Sequence, residues 1–131
     1  MPDADAVRTV LFVCQHGASR SRMAAAWFAR AAPPGWQAAS AGVDPAQAVS
    51  PNAVRLLAGT AAEGLLDHNP PVPLAAAPAP ALMVAIDCDV AGGARWDLAV
   101  AEPCEAMCDE LAIRAAALAR ALAPTWAAEG D

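Results

Sequence analysis

The chain has 131 residues, 57% of them hydrophobic, and a formal net charge of −6. That length suffices for one domain with a real core over residues 1–131, the acidic balance excludes the basic footprint of a nucleic-acid binder, and no stretch reaches the roughly 20 apolar residues of a membrane span. Four cysteines are too few for a disulfide scaffold, and the acidic start Met1-Pro-Asp-Ala-Asp-Ala is not that of a secretory signal, so the expectation is a soluble cytoplasmic protein with reduced thiols.

Residues 1–7 read as a disordered lead-in. From Arg8 to Cys14 the run Val10-Leu-Phe-Val is continuous and β-prone, as in a parallel strand buried on both faces. A loop of small and polar residues follows to Ser19. Arg20 to Ala31 is helical, with Met23, Trp27 and Ala31 on one stripe, Ala24 and Phe28 beside it, and Trp27 and Phe28 read as core. Pro33-Pro34-Gly35 stops it. Gln37 to Ala41 is a second strand, ended by Gly42. Ser50 as N-cap and Pro51 at the first helical position open a helix through Val54 and Leu57 to about Gly59.

Between Thr60 and Pro80 there is little periodicity; Leu65-Leu66 reads as a short strand, followed by a Pro- and Ala-rich connection. A loop this long is either functional or mobile. Ala81 to Ile86 is again a buried-strand run, followed by Asp87-Cys88-Asp89 and the turn Gly92-Gly93. Trp96 to Val100 reads as a last strand. Glu102-Pro103 then opens a long helix to about Ala123, with Met107, Leu111, Leu118 and Leu122 on one face. Its acids come early (Glu105, Asp109, Glu110) and its arginines late (Arg114, Arg120), the order a helix dipole favours.

Strands and helices alternate, which predicts a parallel α/β sandwich with right-handed crossovers. Ligands of such sheets bind outside the carboxyl ends of the strands. Cys14 falls at one such end, and the Cys88 region at another on the same edge. A buried strand feeding a tight loop and a helix start aims backbone N–H groups and a helix dipole at one point. A cysteine at the foot of that loop has its thiolate stabilised, and Arg20 at the far end is a bidentate donor. The chain has no lysine; Arg20 and Arg22 place positive charge beside this loop, which suits a small anion better than a polymer.

Residues 10–28, VLFVCQHGASRSRMAAAWF, resemble the active-site segment of the low-molecular-weight protein tyrosine phosphatases and of the arsenate reductases built on the same fold. The likeness continues in Ser40-Ala41-Gly42, in Ser50-Pro51-Asn52-Ala53-Val54 and in Asp67-His68. The resemblance implies a three-layer sandwich around a parallel four-stranded sheet, and a cysteine-dependent enzyme with no cofactor and no metal. Its first expectation is a phosphatase that hydrolyses phosphomonoesters through a cysteinyl-phosphate. The alternative is an arsenate reductase using the same thiolate, with Cys88 or an external thiol, thioredoxin-like or of low molecular weight, completing the cycle. By the same resemblance Cys14 is the nucleophile and Arg20 binds two oxygens of the anion. Backbone N–H groups of Gln15, His16, Gly17, Ala18, Ser19 and Arg20 hold its oxygens, and Ser21 hydrogen-bonds the Cys14 sulfur.

The sequence also departs from that pattern. Where the family loop commonly carries Gly-Asn, this one reads His16-Gly17, and Gly17 is free to take a positive φ unaided. The phosphatases draw their general acid from an Asp-Pro pair before the last helix; the candidates here are Glu102, before Pro103, and Asp97. No tyrosine occurs anywhere and no tryptophan follows Ser-Ala-Gly, so an aromatic wall for a phosphotyrosine ring is missing. Cys88 lies where a first resolving thiol belongs, but Asp89 to Val100 holds no second one. A reading from another class is a non-catalytic oxyanion-binding domain that retains the loop alone. Cys104 and Cys108, spaced i, i+4 with no histidine pair, read as structural, and His68 as a capping or packing residue.

Overall fold

The run Val10-Leu-Phe-Val lies in β1 (Arg8–Cys14) and is buried on both faces in the computed structural model, which describes residues 7–100 and 102–123. A strand covered on both sides has no solvent-facing positions, hence the absence of polar alternation. β1 pairs in parallel with β2 (Trp36–Gly42) on one side and β3 (Leu82–Ile86) on the other. β4 (Ala94–Trp96) adds outside β3, giving the order β2-β1-β3-β4. The chain leaves β1 toward one side and returns on the other, so the carboxyl ends of β1 and β3 flank the switch point where such sheets bind ligands.

One face of the sheet carries most of the core. Val10, Phe12, Val84 and Ile86 meet Met23, Ala24 and Phe28 of α1 (Arg20–Ala31) and Met107, Leu111 and Ala115 of α3 (Glu105–Leu122). The short α2 (Pro51–Leu57), capped by the Ser50 hydroxyl, adds Ala53, Leu56 and Leu57 to the same cluster. Phe12 sits 5.8 Å from the Phe28 ring and 5.6 Å from Trp96, both tilted. Such pairs contribute about 0.5–1.5 kcal/mol beyond their burial. The opposite face, built on Leu11, Val13, Ala41, Ala85 and Cys88, is smaller. Leu74 and Ala77, around a 3₁₀ turn at Leu74–Ala76, and Val90 pack against it. The third layer is therefore a strap of Pro- and Ala-rich chain, held at the β2 edge where Gly42 N–H donates to the Val72 carbonyl at 2.9 Å.

Several boundaries differ from the sequence reading. The last strand is Ala94–Trp96, not Trp96–Val100, because Leu98 N–H is drawn off the ladder to the Asp87 carboxylate at 2.9 Å. Leu65 belongs to a 3₁₀ turn (Glu63–Leu65) that starts from Thr60 and Ala62, while Leu66 is buried; neither forms a strand. The final helix begins at Glu105 after an extended Cys104, and ends at Leu122. Of the lead-in expected over residues 1–7, residues 1–6 lie outside the described residues, and Val7 is exposed and outside any regular element. Among the described residues no helix is long and apolar enough to cross a membrane.

Residues 87–93 alone join the parallel strands β3 and β4, fewer than the dozen or so of a helical crossover. The connection returns against β3 so closely that a Cβ on Gly93 would collide with the Met83 carbonyl. Gly93→Ala is expected to lose about 1–3 kcal/mol of stability in urea unfolding, whereas Gly64→Ala, which meets open space, is expected to stay within about 0.5 kcal/mol.

Candidate active site

Each carbonyl from Cys14 to Ser19 is claimed by a donor beyond the loop. Val43 N–H donates to Cys14 at 3.1 Å, Asp44 N–H to Gln15 at 2.7 Å and Ala46 N–H to His16 at 3.0 Å, so the chain after β2 continues the ladder past Cys14. The Gly17 carbonyl accepts from Arg22 Nε at 2.8 Å. Ser50 N–H, at the start of α2, donates to Ala18 at 2.9 Å, and Met23 N–H, inside α1, to Ser19 at 2.9 Å. The peptides are all trans. In a planar trans peptide the N–H points opposite to the preceding carbonyl. Carbonyls turned outward at six successive peptides therefore turn the N–H groups of Gln15 to Arg20 inward, onto one space at the amino end of α1. Such a cradle of N–H groups has the chemistry to accept an anion.

The turn needs its glycines. Gly17 has φ +64°, and a Cβ there would lie 2.7 Å from Gly42 N and 2.8 Å from the Ala41 carbonyl carbon. A Cβ on Gly42 would in turn reach 2.6 Å from the carbonyl carbon of His16. The two backbones are in direct contact, so the glycine at position 17 is a steric requirement here as well as a conformational one.

Among the residues read from the sequence, Cys14, Ser21 and Arg20 come together. Cys14 is 4% exposed and its Sγ is hydrogen-bonded to Ser21 Oγ at 3.2 Å. Arg20 Nε lies 3.2 Å from Asp87 Oδ2, while Asp87 Oδ1 accepts the Leu98 N–H. Asp87, at the carboxyl end of β3, has φ +51°, a strained value for a non-glycine residue. The sequence reading passed over it; its one signal was its place beside Cys88 on the ligand edge. His16 is exposed and its Nδ1 donates to the Asp44 carbonyl at 2.9 Å. Cys88 is buried, and its thiol donates to the Val13 carbonyl at 3.5 Å. Burial pushes this thiol up, and the charge of Cys14 pushes the same way.

Arg22 is 1% exposed. Besides the Gly17 carbonyl it holds the Asp67 carbonyl through Nη1 at 2.5 Å, with the Asp67 carboxylate at 3.9 Å. Burial lowers its pKa below the usual arginine value, while Asp67 and Cys14 oppose that shift. The sequence marked Arg22 as positive charge near the loop and gave no sign of this contact, which depends on a segment far along the chain.

The cradle opens into a cavity of about 430 Å³ whose walls include Cys14, His16 and Arg20, with Ala46, Ala48, Val49 and Pro51 across from them. The two acids proposed from the sequence do not line it. Asp97 is exposed, with its carboxylate 2.8 Å from Arg95 Nε, and Glu102 is exposed as well. A larger groove of about 840 Å³, between α2 and α3, holds Cys104 and Cys108. Cys108 is buried there and donates to the Leu56 carbonyl at 3.7 Å. His68 is exposed.

Residues 9–69 match the family described as low molecular weight phosphotyrosine protein phosphatase. Among solved structures the chain is similar to an arsenate reductase from Archaeoglobus fulgidus: 30% identity over 85% of this chain and 98% of that one, with a TM-score of 0.69. A thioredoxin-dependent arsenate reductase from Corynebacterium glutamicum shares the fold at 24% identity and a TM-score of 0.68, over 90% of this chain and 63% of that one. An arsenate reductase in a phosphate-binding state shares it at 17% identity and a TM-score of 0.69, over 88% and 99%. No match was found among curated proteins.

Gly17→Ala separates sterics from backbone preference. Gly35 also has a positive φ, but a Cβ there meets nothing within 4 Å. Gly35→Ala is expected to cost about 1 kcal/mol of stability. Gly17→Ala is expected to cost about 1–3 kcal/mol more and to weaken phosphate binding, read by calorimetric titration, by at least about tenfold.

Proposed function

The chain belongs to the superfamily of low-molecular-weight phosphatases and arsenate reductases, and from that premise we propose that it acts on tetrahedral oxyanions through Cys14, with arsenate reduction as its reaction. The observation that carries this choice is the Cys88 thiol, buried against the Val13 carbonyl and close enough to Cys14 to feel its charge.

The reaction begins with attack of the Cys14 thiolate on arsenic. One hydroxyl of the arsenate monoanion takes the anion's other proton and leaves as water as the sulfur–arsenic bond forms, giving a Cys14 sulfur–arsenate adduct. The inward N–H groups and the Arg20 guanidinium hold the oxygens, fixed donors around negative charge that need no rearrangement during the step. Ser21 supports the thiolate. The Cys88 thiolate then attacks the Cys14 sulfur. The sulfur–arsenic bond breaks with its electron pair going to arsenic, arsenite departs, and a Cys14–Cys88 disulfide remains. An external thiol, thioredoxin-like or of low molecular weight, returns the two electrons. With no further cysteine between Asp89 and Val100, that donor acts on the Cys14–Cys88 pair directly.

A second reading is hydrolysis of phosphomonoesters through a cysteinyl-phosphate, favoured by the cavity of about 430 Å³, which leaves room for an organic group beside the anion. It lacks an acid. With Asp97 held by Arg95 and both it and Glu102 away from the cavity lining, the leaving oxygen departs unprotonated. That costs about 10²–10⁴ in rate. Activated aryl esters escape most of this loss and alkyl esters do not.

Arsenate turnover in the presence of a thiol donor is expected to be lost in both Cys14→Ser and Cys88→Ser, whereas aryl phosphate hydrolysis is lost only in Cys14→Ser. The pH dependence carries a sign. Because the Cys88 thiol is pushed up, its reactive thiolate is scarce near neutrality. Arsenate turnover should therefore climb about tenfold per pH unit above about pH 7, beyond the ordinary thiol value of about 8.5. Aryl phosphate hydrolysis should not share that limb. Hydrolysis that outpaces arsenate turnover, together with a neutral Cys88→Ser, would favour the phosphatase; phosphate binding without either turnover would leave a non-catalytic domain.

A further inference from the structure

Of the loop carbonyls from Cys14 to Ser19, the Gly17 carbonyl is the one held by a side chain; the others accept backbone N–H groups. We propose that Arg22 is a positioning residue that sets the Gly17–Ala18 peptide, aiming the Ala18 N–H at the bound oxyanion. The assignment rests on the oxyanion reading of Cys14 above.

The peptide after a glycine at φ +64° is the part of the loop most free to rotate, since Gly17 has no side chain to lock it. Something outside must fix its carbonyl. The β2 extension supplies donors as far as His16, and α2 supplies the donor for Ala18, leaving the position between them to Arg22. The guanidinium is planar, so Nε and Nη1 lie in a fixed relation and can bridge two carbonyls, those of Gly17 and Asp67. A lysine has the charge but a single terminal nitrogen, and cannot reproduce the bridge. Nearly full burial makes this an expensive place for a cation unless it is bonded on several sides. An apolar side chain would serve packing alone.

The test uses the full chain, inorganic phosphate as probe, and the Ala18 amide resonance in nitrogen-15 NMR. In Arg22→Met, the phosphate Kd is expected to rise at least about tenfold, and the change that phosphate saturation brings to the Ala18 amide resonance of the native protein should be lost. Arg22→Lys should recover little of either. A folded Arg22→Met with native phosphate affinity and a native Ala18 response overturns the assignment while leaving the Cys14 reading intact. If Arg22→Met does not fold, Arg22→Lys decides: native phosphate affinity there overturns the bridge, and loss of affinity in a folded chain supports it. Failure of the native protein to bind phosphate overturns both.

Discussion

A planar peptide cannot turn its N–H inward without turning the preceding carbonyl outward, and a carbonyl at a crowded strand end must find a donor. At the carboxyl end of β1 those donors come from three places. The chain after β2 supplies Val43, Asp44 and Ala46; the start of α2 supplies Ser50; and α1 supplies Met23 and Arg22. The parallel register that pairs Cys14 with Gly42 is what brings the first set into reach. The inward-facing N–H groups are thus the way the loop satisfies its own carbonyls, an arrangement that depends on β2, α1 and α2 being docked around β1.

The second half of the site hangs on β3. Its short connection to β4 keeps Asp87 and Cys88 at the sheet edge, with Asp87 joined both to Arg20 and to Leu98. The same brevity leaves one face of the sheet to a strap of chain rather than a helix. Cys88 lies on that thinner face, against the strand that ends in Cys14. Arg95 gathers Asp89 and Asp97 to itself at the surface, away from the loop cavity. The proposed preference for thiol chemistry over ester hydrolysis rests on that division: a second thiol against the strand that ends in Cys14 and, among the described residues, no carboxylate in the cavity wall.

What could be read from the sequence was what is local in the chain. The Val10–Val13 run, the loop and the start of α1 are contiguous, so β1, Cys14, Arg20 and Ser21 were legible, and so was the positive φ of Gly17. Asp87 was not, because a lone carboxylate after a strand looks like any other until the fold sets it against Arg20. Arg22 escaped for a similar reason: its burial and its partner Asp67 lie in different parts of the chain, and a helix position next to Met23 does not announce an inward-facing cation. The end of β4 was misplaced because the force that ends it, the pull of Asp87 on Leu98, is tertiary.

The most direct test of the cradle is a crystal structure of the full chain grown with arsenate or orthovanadate. The loop geometry predicts the anion at the amino end of α1, its oxygens on the N–H groups of Gln15 to Arg20 and on the Arg20 guanidinium, with the Cys14 sulfur in line with the departing oxygen. An anion bound elsewhere, or a loop whose carbonyls point into the cradle when it is occupied, would contradict it.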